Sequence, residues 1–478
     1  MVFKMIKAIN YTLMKKQLTY LVIVFLFSGT FSAQKKGASA MPKPGPTPVV
    51  NLVKPKVFHL SNGLTVMVVE NIKLPRVSSN LLIYRPLFYE GALKGIRDII
   101  AKQLNKGTTN NTKEQFNKKI DFLGANLSFS ANGASAGSLS KYFPEVLGLM
   151  ADAIIHPKFS QEEIQNSKNR TIEGLKSEEK DTSSIMSRVS NALQYGKNTS
   201  KGQFVSVESV NKIQLTDVQN LYKKYYTPDH ACLVIVGDVK YEQIKPLVEK
   251  VFDGWKNSDP IVTTLERASN VAKTEINLID VPSAVQSVIS VNNLITLKKQ
   301  DHNYFPTVIM NYILSIRLNM NLREKNGFTY GAGSNLNVDK YFSNFSAEVS
   351  VRNEVTDKAV KEIMHELKAI VTITPEELEN AKVLLKGEFI RSLGNPKMIA
   401  AYALEQKLLD LPSDFYSNYL KSIDRVTMTD ISNVIKYTIK PDQSRIFVVG
   451  KASDISTGLK QLGYPVKYFD KEANPVNK

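Results

Sequence analysis

The pattern of apolar and polar positions is written twice along this chain. Around Cys232 an unbroken apolar run, Cys232-Leu-Val-Ile-Val236, ends at Gly237. It follows Leu215-Thr216-Asp217-Val218 and then Tyr226-Thr227-Pro228-Asp229. With a shift of 213 (Asp217 to Asp430) the same order returns as Met428-Thr429-Asp430-Ile431, Pro441-Asp442 and Ile446-Phe-Val-Val449-Gly450. In each copy the pattern predicts a helix capped at Thr216 or Thr429, stopped by Pro228 or Pro441, and followed by a buried strand.

A second pair of segments gives almost the same offset. Phe159-Ser-Gln-Glu162-Glu163-Ile164-Gln-Asn166-Ser-Lys168 aligns without a gap on Ile373-Thr-Pro-Glu376-Glu377-Leu378-Glu-Asn380-Ala-Lys382, a shift of 214 (Lys168 to Lys382). Such self-similarity marks a tandem duplication. Val57 to Leu60 and Leu64 to Val69 flank Ser61-Asn62-Gly63 and predict a hairpin on an Asn-Gly turn. Val360, Met364, Leu367 and Val371 predict one helix face, with Thr356 or Asp357 as its cap. Each copy therefore mixes several antiparallel strands with three or more helices. The fold class is α+β: two homologous layered α/β sandwich domains in tandem, 53–255 and 274–470, with a linker at 256–273 and a tail at 471–478.

Ahead of the first copy, Lys15-Lys16, the apolar Leu18 to Phe27 and the small residues through Ala33 have the order of a secretory signal peptide. The expectation is export to a bacterial periplasm, cleavage after Ala33, and a flexible Pro/Gly/Lys-rich leader at 34–52. The apolar run is short for a membrane span. The single cysteine, Cys232, excludes an internal disulfide and reads as a buried thiol. The net charge is +17, and removal of four lysines in 1–33 leaves about +13. The lysines are scattered without interleaved aromatics, which argues against nucleic-acid binding. After signal cleavage no membrane span is expected.

Several landmarks coincide. Phe58-x-Leu60-x-Asn62-Gly63-Leu64-x-Val66 opens the first copy, and Gly95 and Lys106-Gly107-Thr108 bracket a helix-length segment. The second copy carries Leu322-Arg323-Glu324-Lys325-Asn326-Gly327-Phe328-Thr329-Tyr330-Gly331. Together these resemble the insulinase/pitrilysin family of inverted-zinc-motif metallopeptidases, which includes the mitochondrial processing peptidases. The resemblance implies two domains facing one another as a clam-shell chamber. It also implies an H-x-x-E-H helix, with two histidines on zinc and a glutamate taking a proton from water.

The matching positions here are Asp98, Ala101 and Lys102. An ammonium cannot ligate zinc and repels it, and alanine accepts no proton. Glu178 or Glu179 has the spacing of the third ligand, but a solvated charged face is the plainer reading of that stretch. Glu362 and His365 share a helix face as an exposed polar pair. No zinc or other cofactor is therefore expected on this chain.

The resemblance assigns substrate contact to Arg323 and Tyr330, whose guanidinium and phenol are donors suited to a peptide carbonyl or its oxyanion. Taken alone, Arg323 also reads as a partner of Glu324 and Tyr330 as a packed strand residue. The family divides its work between chains in some bacterial members. The expected function is thus a zinc-less subunit of a periplasmic peptidase, paired with a zinc-bearing homologue and acting on a peptide or unfolded polypeptide. The competing reading is a peptide-binding or scaffold protein of the cell envelope, with the strand at 125–131 as an edge for added peptide. A self-sufficient peptidase with an unusual metal site is the third.

Overall fold

A computed structural model describes residues 54–258 and 268–477. The expected signal peptide, the leader and the middle of the linker lie outside the described residues. Among the described residues no helix is long and apolar enough to cross a membrane.

The first copy contributes β1 (Lys56–His59), β2 (Thr65–Glu70), β3 (Arg76–Ile83), β4 (Asn126–Ser130), β5 (Gly133–Leu139) and β6 (Ala231–Gly237). Its helices are α1 (Ile96–Gln103), α2 (Lys113–Phe122), α3 (Phe143–Ile155), α4 (Gln161–Glu178), α5 (Thr182–Tyr195), α6 (Val207–Lys212), α7 (Leu215–Tyr225) and α8 (Tyr241–Phe252). The second copy contributes β7 (Glu275–Asp280), β8 (Gln286–Ile295), β9 (Ala332–Asn337), β10 (Ser343–Arg352), β11 (Arg445–Gly450) and β12 (Val466–Phe469). Its helices are α9 (Tyr304–Asn319), α10 (Thr356–Ala369), α11 (Pro375–Ser392), α12 (Pro396–Leu408), α13 (Tyr419–Asp424), α14 (Met428–Thr438) and α15 (Ala452–Lys460).

The two sheets run β1-β2-β6-β3-β5-β4 and β12-β7-β11-β8-β10-β9. Five strands of each sheet correspond in order, and the parallel pair β2/β6 matches β7/β11. The sixth differs. β1 forms the expected hairpin with β2, whereas β12 arrives from the C-terminus and lies parallel to β7. Gly63 makes that hairpin possible, with φ of +94° and Asp229 Cα 3.1 Å from where a Cβ would stand.

β6 is apolar and buried along its whole length because both of its faces are covered. On β2, Val66 and Val68 enter the core formed with the copy's own helices. Met67 and Val69 point the other way, with Cys232, Val234 and Val236 of β6, against Ala400, Ala403 and Leu404 of α12. The second sheet is served reciprocally: Ile185, Met186, Val189 and Ala192 of α5 pack on Ile279, Phe447 and Val449. α5 and α12 occupy matching positions in the repeat, so each copy lends the same helix to the other's sheet. Burial pushes the Cys232 thiol up to about 12, which suits an inert core residue.

Three local expectations need correction. The second-copy helix α14 is capped at Thr427, two residues before Thr429: Thr427 accepts from Asp430 N–H, and the Asp430 carboxylate accepts from Thr427 N–H at 2.8 Å. Asp217 does the same for Gln214 at 2.9 Å in the first copy. α10 has no side-chain cap; Thr356 is buried and donates to the Asn353 carbonyl. Its periodicity ends with the helix at Ala369, so Ile370 takes the buried place and Val371 is exposed.

Arg317 at the end of α9 grips Glu377 in the first turn of α11 through two bonds of 2.6 Å. The guanidinium holds the Glu377 carboxyl below the usual carboxylate range. A carboxyl lowered in the folded state stabilises above its unfolded value of about 4.3 and loses that contribution as pH falls through the folded one. Glu377→Gln should therefore cost about 1 kcal/mol at neutral pH. The gap from the parent should close below about pH 4. Urea midpoints measured between pH 7 and pH 3 check this, and a gap that does not narrow with acid would refute it.

Candidate functional site

The site begins at Gly95, which has φ of +100° and Val205 Cγ1 3.0 Å from an added Cβ. The chain turns there into α1, whose Ile96, Ile99 and Ile100 anchor one face in the core. Ala101 is buried, while Asp98 and Lys102 stand one turn apart on the exposed side. α4 packs beside α1, with Gln103 donating to Ser167 Oγ at 2.8 Å. This brings Thr171 to Lys102, whose ammonium donates to its hydroxyl at 2.7 Å.

Asp98 and Lys102 open into a cavity of about 630 Å³, together with Arg170 and Glu178 of α4 and Arg188 of α5. Glu178 meets Arg188 at 3.6 Å. Glu179 lines the adjoining cavity instead. The chemistry of this arrangement is plain. One expected metal position carries a cation bonded to a hydroxyl, the base position is a buried methyl, and the acid with third-ligand spacing faces a guanidinium. Lys102 as an ammonium ligates no metal, and Ala101 accepts no proton. Among the described residues no three His, Cys, Asp or Glu side chains are grouped as metal ligands. Glu362 takes its hydrogen bond from Asn321, at 2.9 Å, rather than from His365.

Arg323 and Tyr330 lie in the second copy, and neither lines this cavity. Arg323 sits in a π-helical turn, Met320–Lys325, that continues α9. Wide turns of this kind recur at functional sites. This one is fixed from below: Leu322 is fully buried, and Asn321 Nδ2 donates to Glu362 at 2.9 Å and Glu366 at 2.6 Å on α10. Arg323 itself is half exposed, and its ion partner is Glu324 at 3.4 Å. Gly327, with φ of +62°, reverses the chain, whereas Gly331 has no positive φ. Thr329 Oγ1 accepts from Gly331 N–H at 3.2 Å and braces the residue between them. That residue, Tyr330, is 95% exposed and does not pack as a strand residue. The sequence held no sign of Arg170, Arg188 or the Asn321 brace, because their partners come from other helices.

The model of the Peptidase M16 inactive domain matches residues 212–385. A probable mitochondrial-processing peptidase subunit beta of Arabidopsis thaliana is 23% identical over 48% of this chain, a match that covers 45% of that relative, so less than half its length is spanned. A protein of Helicobacter pylori described as a non-peptidase homologue is 20% identical over 72% of this chain and 81% of its own. The crystal structure of a peptidase M16 inactive domain from Pseudomonas fluorescens superposes with a TM-score of 0.74 at 20% identity, covering 84% of this chain and 98% of that one. The fold is that of these two-domain proteins.

Proposed function

Because the chain is an insulinase-type (M16) homologue of the inactive kind, we propose that it is the zinc-less subunit of an exported, periplasmic peptidase. Its partner is a homologue with an intact zinc motif. To the shared site it supplies Arg323 and Tyr330, which bind the substrate peptide and the oxyanion formed as water attacks. Zinc belongs to the partner alone. The observation that carries this reading is an asymmetry between the copies. The first presents a lysine bonded to Thr171 where a metal ligand would stand. The second holds an unpacked tyrosine next to a bracing threonine and, seven residues earlier in the chain, an arginine with one loose partner. A fully exposed tyrosine contributes little to folding, so its presentation suits contact with another molecule.

Expressed with the zinc-bearing homologue of its own organism, the chain should co-purify as a one-to-one complex. Peptide hydrolysis should require both chains. Recovery of an unrelated envelope assembly in place of that homologue would favour the scaffold reading, for which β4, paired among the described residues with β5 alone, offers a strand edge.

A further inference from the structure

The cavity under α1 has lost the means to hold a metal but has gained charge of the opposite use. Lys102, Arg170 and Arg188 converge on it against Asp98 and Glu178, leaving one net positive charge. Much of their donor capacity is unspent. Lys102 uses one bond, on Thr171. Arg188 has a side chain only 13% exposed, lies over the Phe204 ring at 5.9 Å, and meets Glu178 through one contact of 3.6 Å. A guanidinium carries five donors and an ammonium three. Among the described residues Arg170 and Asp98 make no hydrogen bond or ion pair.

We propose that this cavity binds the C-terminal carboxylate of a polypeptide chain. A single net positive charge suits a monoanion; a dianionic phosphate would meet the two resident carboxylates. Lys102 and the guanidinium of Arg188 receive the carboxylate by charge-assisted bonds. Asp98, one turn before Lys102 on the same face, accepts the amide N–H next to that terminus. Phe204 and Leu175 give the last side chain an apolar wall, which selects against a charged one. The position that in zinc-bearing relatives cuts a chain would here hold the end of one.

The inference rests on the reading of the chain as a polypeptide-binding subunit, but its test needs no partner. The mature chain alone is titrated calorimetrically with an acetylated tetrapeptide ending in leucine, as the free acid and as the amide. A third, amidated peptide carries a glutamate side chain. The free acid should bind, and amidation should weaken it tenfold or more. Lys102→Met, at an exposed position, should abolish the preference, and Arg188→Gln should reduce it. Equal binding of acid and amide overturns the proposal, as does no binding of either. A glutamate amide that matches the free acid also overturns it, since the site would then read any carboxylate. Failure here leaves the two-chain peptidase standing, and failure of the co-purification leaves this result unaffected.

Discussion

Arg323→Ala in the proposed two-chain peptidase should lower kcat/KM by about 10²–10³-fold, the usual cost of removing one donor to a developing oxyanion. Most of the loss should fall on kcat, because a donor aimed at the tetrahedral oxygen is worth more in the transition state than in the bound substrate. Tyr330→Phe removes one hydroxyl and keeps the ring, and should act in the same direction. Neither change should disturb the isolated chain. Tyr330 is exposed on every side, and Arg323 is held only by a half-exposed contact to Glu324. Surface changes of this kind move stability by about 0.5 kcal/mol or less. Unchanged melting with collapsed activity is therefore the diagnostic pair of results. Unchanged hydrolysis in a confirmed complex would remove the pair from the site. The Asn321 brace gives a graded control: Asn321→Ala frees Glu362 and Glu366 and loosens the turn that carries Arg323, so its effect should be smaller and should include some loss of stability.

What the sequence made legible follows from what it encodes locally. The positions that the resemblance matches to the zinc motif lie within one and a half turns of a single helix, so counting back from Gly107-Thr108 was enough to place them at Asp98, Ala101 and Lys102. The duplication was visible because two long segments kept nearly one offset. The cavity could not be read in the same way, since Lys102, Arg170 and Arg188 come from three helices and meet only when α1, α4 and α5 pack together. The exchange of α5 and α12 was hidden for a related reason. An apolar helix face declares that it is buried, but not which sheet buries it. Val371 shows the limit of periodicity: the spacing fitted a helix that had already ended two residues earlier.

The repeated Asn-x-Lys of the two copies leads to the largest stability effect. Lys168 and Lys382 are both nearly buried, an unusual place for lysine. The reason is a shared task. Lys168 Nζ reaches from α4 to the end of the short helix α6, donating to the carbonyls of Asn211 at 2.9 Å and Ile213 at 2.8 Å. Lys382 reaches from α11 to the end of α13, donating to Asp424 O at 3.3 Å and to the Glu379 side chain at 2.9 Å. Cations at helix C-termini satisfy carbonyls that the helix leaves open. Lys168→Met should cost about 2–4 kcal/mol, because two buried carbonyls lose their donor together. Lys382→Met should cost about half of that, since it deprives one carbonyl and an exposed carboxylate. Burial also pulls the Lys168 amine below the usual lysine range. Between that lowered value and the unfolded one, the unfolded chain binds more protons, so this group's contribution rises with pH. The deficit of Lys168→Met should accordingly widen as the solution becomes alkaline. Thermal midpoints of both variants at pH 7 and near pH 10 test the order and the trend. Equal costs for the two lysines, or a deficit that shrinks with pH, would break the link between the repeated motif and the helix ends it secures.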